Sequence, residues 1–338
     1  MGMKAAVLHG INEAYQFQDF EKPLIEPNEV LIRVQHAAMN HRDIWIQKGQ
    51  YAGLVFPIIC GSDACGIVEE IGTAVNTDLL GKEVIINPSL NWGDNARVQA
   101  KDYVILGLPN HGTFAEYVKV PARLIYPKPA HLTSEAAAAL PLAGLTAFRA
   151  LLGRAKAQAG EHVLITGIGG GVALMAAQFA LAASCKVYVT SGSQEKLDQA
   201  MAMGISGYAN YKTADWHKQL AKETGGFDVI IDGAGGSDFA KLIDLCKPGG
   251  RIAVYGATAG VWNAGAPAKV FWKQIDILGS TMGSDEQFEE MLNFVSQHKM
   301  VPVVAKTFGL NQCEEAAKYM NEGKQFGKII LEMNQNAH

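Results

Sequence analysis

The run VLITGIGGGVALMAAQFA, residues 163–180, sets four glycines between a short apolar stretch and a longer apolar, Ala-rich one. Such a turn can bind a phosphate. Free backbone N–H groups at the start of a helix point outward, and the helix dipole favours negative charge there. Glycine is needed because a Cβ would hold a pyrophosphate off the backbone, and Gly167, Gly169 and Gly171 are the crowded positions. Gly169, Gly170, Gly171 and Val172 are therefore the expected pyrophosphate contacts. A glycine-rich turn alone is weak evidence. Here it follows a strand pattern, opens a helix pattern and begins an alternating series. The competing reading is a similar turn in an α/β protein that holds another ligand.

The next apolar run, KVYVTSGSQEK, tests which dinucleotide fits. An Asp or Glu near the end of this strand, about 20 residues past the turn, would bind the ribose hydroxyls of NAD. Ser191, Gly192 and Ser193 stand there instead, with Lys196 close behind. Hydroxyl donors and a cation suit a 2′-phosphate, so the expected cofactor is NADPH. Glu195 argues the other way, and Lys196 can also be read as a solvated helix charge. Gly256 and Met282 follow later apolar runs, where the C-terminal ends of parallel strands meet ligands.

These residues must be held by larger elements. Before about residue 125 the chain reads as short strands between turns, the clearest being EVLIRVQHAAMN, ACGIVEEIG and TFAEYVKVP. From His162 onward, apolar runs of strand length alternate with helical patterns. That predicts a parallel sheet covered by helices on both faces. The fold class expected is α/β, with a mostly-β domain at 1–127 and 300–338 and a doubly wound parallel-sheet domain at 128–299. The polar segment 87–112 is longer than an ordinary connection and is expected to be functional or a lobe of its own.

At 338 residues, 49% of them hydrophobic and 18% charged, the chain can bury two cores. A net charge of -4 gives no basic footprint, so nucleic acid is excluded as an expected partner. No apolar run reaches the ~18 residues of a membrane span. No N-terminal run reads as a secretion signal. The five cysteines form no C-x-x-C pair and suit a reducing compartment, so a cytoplasmic location is expected. Cys60, Cys65, His36 and His41 form a conceivable metal set, but their spacing fits no zinc pattern.

The motifs MKAAVLH, NHRDIW, KGQY, GSDACGIVEEIG, GTFAEYVKVP, LPLAGLTAFRAL, GIGGGVA, CKPGGRIAVYG and GKIIL cover nearly the whole length. With them the chain resembles the medium-chain dehydrogenases/reductases, most closely their zinc-free, quinone oxidoreductase-like branch. The resemblance implies a GroES-like catalytic domain, a Rossmann domain, and a homodimer or homotetramer joined through edge strands of the Rossmann sheet. It implies that Tyr211 joins Lys196 on the 2′-phosphate and that Thr146 packs at the nicotinamide. In the zinc-using branch three positions supply Cys, His and Cys. The matching residues here are Asn40, Ser62 and Leu142, which cannot together hold Zn²⁺.

Without a Lewis acid, hydride transfer suits conjugated acceptors such as quinones and α,β-unsaturated carbonyls, where the incoming charge is spread. Asn40 is the candidate for polarising the acceptor, or for contacting the nicotinamide ribose. Trp45 and Tyr51 would line the substrate pocket, and Tyr51 could donate a hydrogen bond or a proton. Trp45 reads equally well as core. Asp43 is expected to be structural, and His41 and Arg42 to lie at the surface or behind the site. The expectation is an NADPH-dependent quinone or enone reductase. Its rivals are an alcohol or aldehyde dehydrogenase with an unrecognised metal, and a non-catalytic NADPH-binding sensor.

Overall fold

The structure is a computed structural model that describes residues 2–333 apart from 263, 264 and 266. Two compact units are present: unit 1 comprises 1–143 and 283–338, and unit 2 comprises 144–282. Residues 128–143 and 283–299, which the sequence pattern groups with the parallel sheet, thus pack into unit 1. Local contacts explain this. Ala139 is buried against Ala38 and Ile330. The Ser89 hydroxyl donates to Gly283 O at 2.7 Å, and Asn87 Nδ2 donates to Asp285 Oδ1 at 2.9 Å.

Unit 1 is mostly β. Its larger sheet runs in the order Ile125–Pro127, Glu83–Ile86, Asp63–Ile71, Glu29–Ala38, Lys328–Glu332, Val304–Gly309, and Tyr117–Pro121 also pairs with Glu29–Ala38. The register matters most at one end. Ala38 lies opposite Asp63 on one side and Ile330 on the other. The end of one strand and the starts of its two antiparallel neighbours therefore share one edge, and that brings Asn40, Asp63 and Lys328 together. The segment 87–112 is pinned by a short hairpin, Ser89–Leu90 with Val104–Ile105. Buried Trp92 packs edge-on to Tyr103, and its indole N–H donates to Asn95 O at 3.1 Å.

Unit 2 is a parallel sheet in the order Gly207–Asn210, Lys186–Ser191, His162–Ile165, Phe227–Asp232, Cys246–Val254, Asp276–Gly279. That is the 3-2-1-4-5-6 order of the Rossmann fold. Its central strands are apolar throughout, with Val163, Leu164, Ile165, Val229, Ile230 and Ile231 all fully buried. Both faces being covered, these strands need no polar alternation. Among the described residues no helix is long and apolar enough to cross a membrane.

Candidate active site

The glycine turn of unit 2 lies between the strand His162–Ile165 and the helix Gly171–Ala182. Gly167 and Gly169 adopt φ of +67° and +123°, values that L side chains rarely take. Gly170 is the N-cap and offers no side chain to the first helical turn. Cβ atoms built on Gly167 or Gly170 would enter open space. Room beside a helix start, whose first N–H groups have no intrahelical partner, is what a pyrophosphate requires, so the turn fits a dinucleotide. Val172 is in the first turn of that helix.

Around this turn the expected 2′-phosphate residues assemble. Lys196 folds across it, and a Cβ on Gly169 would lie 2.8 Å from Lys196 Cδ and 3.1 Å from its Nζ. Partial burial lowers the lysine's pKa from its ordinary value, while Glu195 raises it. Ser193 caps the helix Gln194–Ala202, and Ser191 Oγ accepts from Ser193 N at 3.2 Å. Both hydroxyls act there as acceptors, so their protons are not used by these bonds. Tyr211 is exposed, and its ring would meet a Cβ on Gly192 at 2.8 Å. Lys212 Cε would lie equally close, at 2.8 Å. The sequence reading missed Lys212, although its place beside Tyr211 was a readable signal. Elsewhere in the unit Thr146 Oγ1 donates to Met282 Sδ at 3.5 Å, both residues being buried. Gly256 lies close to another strand end, where its Cβ would be 2.9 Å from Gly233 O.

Unit 1 builds its site from a buried polar cluster. Asn40 precedes the helix His41–Gln47, where an Asn side chain would ordinarily cap the first turn. That side chain is drawn elsewhere. Its Nδ2 donates to Asp63 Oδ2 at 2.9 Å and its Oδ1 accepts from Lys328 Nζ at 2.6 Å. Lys328 also donates to Asp63 Oδ2 at 3.0 Å and to Met39 O at 2.8 Å. Asp63 Oδ1 accepts from Leu142 N at 2.8 Å. Asp63 is fully buried and Lys328 nearly so. The sequence reading did not find Lys328. A lone lysine opening a C-terminal strand gives no local signal, and only sheet register carries it to Asn40.

The neighbours of the cluster fix its frame. Asp43 reaches back to Asn40 N at 2.7 Å and accepts from Gly61 N at 3.3 Å. Burial pushes its carboxyl up to about 6, against the pull of the Arg42 guanidinium and the Asn40 N–H. Arg42 is buried, donating from Nη1 to Ser62 Oγ and to Leu106 O, both at 2.8 Å. It lies behind Ser62, while His41 is exposed. Tyr51 is partly exposed, with the Arg42 guanidinium 5.1 Å from its ring centre. Trp45 is partly buried and 6.2 Å from the His41 ring.

This donor set does not fit a catalytic zinc. The Asn40 oxygen is held by an ammonium, the Ser62 hydroxyl is engaged by Arg42 and Leu106, and Leu142 offers a side chain with no donor atom. A divalent cation here would also face the charge of Lys328. Among the described residues no three His, Cys, Asp or Glu side chains gather as a metal site. Cys60 and Cys65 are buried free thiols, each pushed up to about 12 by burial.

Comparison with known proteins agrees with the fold of both units. Residues 26–130 match the alcohol dehydrogenase GroES-like domain family, and residues 171–297 match the zinc-binding dehydrogenase family. The zinc-type alcohol dehydrogenase-like protein YogA of Leptosphaeria maculans is 39% identical, over 94% of this chain and 94% of that protein. The chain belongs to the medium-chain dehydrogenase/reductase superfamily. Members of this superfamily use nicotinamide cofactors. Two further relatives are each 28% identical. Acryloyl-coenzyme A reductase of Sulfurisphaera tokodaii covers 97% of this chain and 99% of its own, and quinone oxidoreductase of Mus musculus covers 93% and 92%. A crystal structure described as an NAD-dependent alcohol dehydrogenase superposes with a TM-score of 0.92 at 36% identity, covering 99% of this chain and 100% of that one. The superfamily is thus settled, with relatives named for both alcohol and conjugated-acceptor chemistry.

Proposed function

We propose that the protein is a zinc-independent, NADPH-dependent reductase of quinones or α,β-unsaturated carbonyl compounds. The observation that carries this reading is the Asn40–Asp63–Lys328 cluster. One of its members, Asn40, stands at a position that matches a zinc ligand, and in this reading its amide donates where a Lewis acid would act. An amide stabilises a developing oxyanion less than a metal does, which favours acceptors whose conjugation already spreads the charge. The relatives named for acryloyl-coenzyme A and quinone reduction act on acceptors of that kind.

Gly169, Gly170, Gly171 and Val172 hold the pyrophosphate in this reading, and Ser191, Ser193, Lys196 and Tyr211 surround the 2′-phosphate. Thr146, Gly256 and Met282 serve the nicotinamide end. When bound, the cofactor supplies a hydride and is left as the oxidised pyridinium. The acceptor would take that hydride at its β-carbon; its C=C pair would become the double bond to the carbonyl carbon, the C=O pair would move onto the oxygen, and the enolate would then need a proton at its α-carbon. Asn40 holds that oxygen, Trp45 and Tyr51 bound the substrate, and a proton passed from Tyr51 and replaced from solvent completes the saturated product.

The test is NADPH oxidation by chelator-treated protein with one quinone and one alkenal, and NADH as the second cofactor. Turnover with NADPH well above that with NADH supports the reading. Turnover of an alcohol that returns only with added metal would replace it with an alcohol dehydrogenase. Tight NADPH binding with no turnover of any acceptor would replace it with a sensor.

The protein is proposed to act as a homo-oligomer in the cytoplasm. Support for the location is the set of five buried free cysteines. Support for the assembly lies at the edge strand Asp276–Gly279 of unit 2. Ile277 is exposed there, and on the nearby helix Pro267–Lys273 Phe271 and Trp272 are 66% and 84% exposed. Apolar side chains beside an unpaired strand edge suit a second copy of the chain. Trp272→Glu should move the protein to a smaller species in size-exclusion chromatography with light scattering. A wild-type monomer would overturn the assignment.

A further inference from the structure

We propose that Lys328 is a positioning residue for the reduction, and that its charge reaches the acceptor through the Asn40 amide. The inference rests on the reading above that Asn40 holds the acceptor oxygen.

The donors and acceptors available fix the arrangement of the cluster. An ammonium only donates and a carboxylate only accepts. Lys328 must therefore face the Asn40 oxygen and Asp63 its nitrogen, so the amide can sit in one orientation only. All three Lys328 donors are spent, on Met39 O, Asn40 Oδ1 and Asp63 Oδ2. None remains for a substrate. The Asp63 oxygens are likewise taken, by Leu142 N, Asn40 and Lys328. Asn40 has one group left, since its second Nδ2–H has no acceptor among the described residues. It is also the most exposed of the three, at 7% against 4% for Lys328 and 0% for Asp63.

The consequence is electronic as well as steric. A positive charge on Oδ1 draws electron density from the amide nitrogen and makes the free N–H a stronger donor. The Asp63 carboxylate on Nδ2 acts in the opposite sense, so the pair first fixes the direction of the free N–H and Lys328 offsets the anion beside it. The three positions matching zinc ligands border this same pair. Asn40 bonds to both members, Leu142 donates its backbone N–H to Asp63, and Ser62 precedes Asp63 in the chain. The ammonium thus stands behind the amide, one hydrogen bond from the group proposed to hold the acceptor.

A purely structural Lys328 would only neutralise Asp63, and the experiment must separate the two roles. Lys328→Met alone leaves a buried carboxylate unpaired and can fail to fold. The working variant is Asp63→Asn combined with Lys328→Met, which removes both charges and keeps an acceptor for Asn40 Nδ2. It should bind NADPH and melt like the wild type. Its kcat for the enone should fall roughly 10- to 100-fold, with KM changed far less. Lys328→Arg, which keeps the charge, should retain more kcat than the neutral pair. Independently of turnover, the Asn40 side-chain amide protons in Asn-selective ¹⁵N spectra should move upfield in the neutral pair. A folded neutral pair with wild-type kcat, or with unmoved Asn40 amide signals, overturns the proposal. Wild-type protein that reduces neither quinone nor enone sinks the functional reading instead, and the amide signals then decide only whether the Asp63–Lys328 pair polarises Asn40.

Discussion

The glycine turn of unit 2 and the polar cluster of unit 1 are built in opposite ways. The turn uses consecutive residues, 167–172, and its chemistry belongs to the backbone. The cluster uses Asn40, Asp63 and Lys328, with hydrogen bonds reaching across 289 positions of sequence. The tasks proposed for them account for the contrast. A phosphate is met by local N–H groups and a helix dipole, which work at an open surface. A group that stabilises developing charge on an acceptor works best away from water, and here the ends of three neighbouring strands provide such a place. Anion binding can therefore be local, whereas a dry charged cluster must be assembled from a distance.

The largest effect that would sharpen this contrast concerns the other buried carboxylate of unit 1. Asp63 has a cation, while Asp43 is held by two backbone N–H groups and faces Arg42 only through space. Burial raises the Asp43 carboxyl to about 6 from an ordinary value of 3.8. The folded state then holds this proton more tightly than the unfolded state does. Its stabilising contribution is complete below about pH 4 and is lost as pH rises through 6. The full shift corresponds to at most about 3 kcal/mol. Urea unfolding of wild type and Asp43→Asn at pH 4, 5, 6 and 7 isolates it. The wild type should lose stability relative to the variant across that range. Parallel curves would mean that the two N–H bonds compensate fully for burial, and that a dry carboxylate here needs no cation.

What the sequence made legible follows the same division. The strand–turn–helix around Gly169 can be read residue by residue, and so can the absent acid at Ser191. The alternating pattern after His162 carries the parallel sheet. In unit 1 the motifs locate Asn40 and show that Ser62 and Leu142 cannot serve a metal. They do not reveal Lys328 beside Asn40, because it stands in a run, GKIIL, whose lysine looks like any strand-opening surface charge. Arg42 was similarly ambiguous. Its burial comes with bonds to Leu106 and Ser62, 64 and 20 positions further along the chain. The compact units also divide at 143 and 282, since helical segments before and after the parallel sheet pack on unit 1 strands.

A smaller effect asks whether recognition at the turn is as local as it looks. Lys196 lies across Gly169, so it could serve a 2′-phosphate or merely pack the turn. Lys196→Ala separates these roles, because only NADPH carries the phosphate. A charge-assisted contact of ordinary strength predicts roughly tenfold or more weaker NADPH binding, with NADH affected less than about twofold. Fluorescence titration with both cofactors reads this directly. Adding Lys212→Ala should weaken NADPH further if both ammonium groups surround the phosphate, since Lys212 and Tyr211 crowd Gly192 from the next strand. Equal losses for both cofactors would assign Lys196 to packing. The preference would then have to come from Ser191, Ser193 and the 211–212 pair, and the turn would be less local than its sequence suggests.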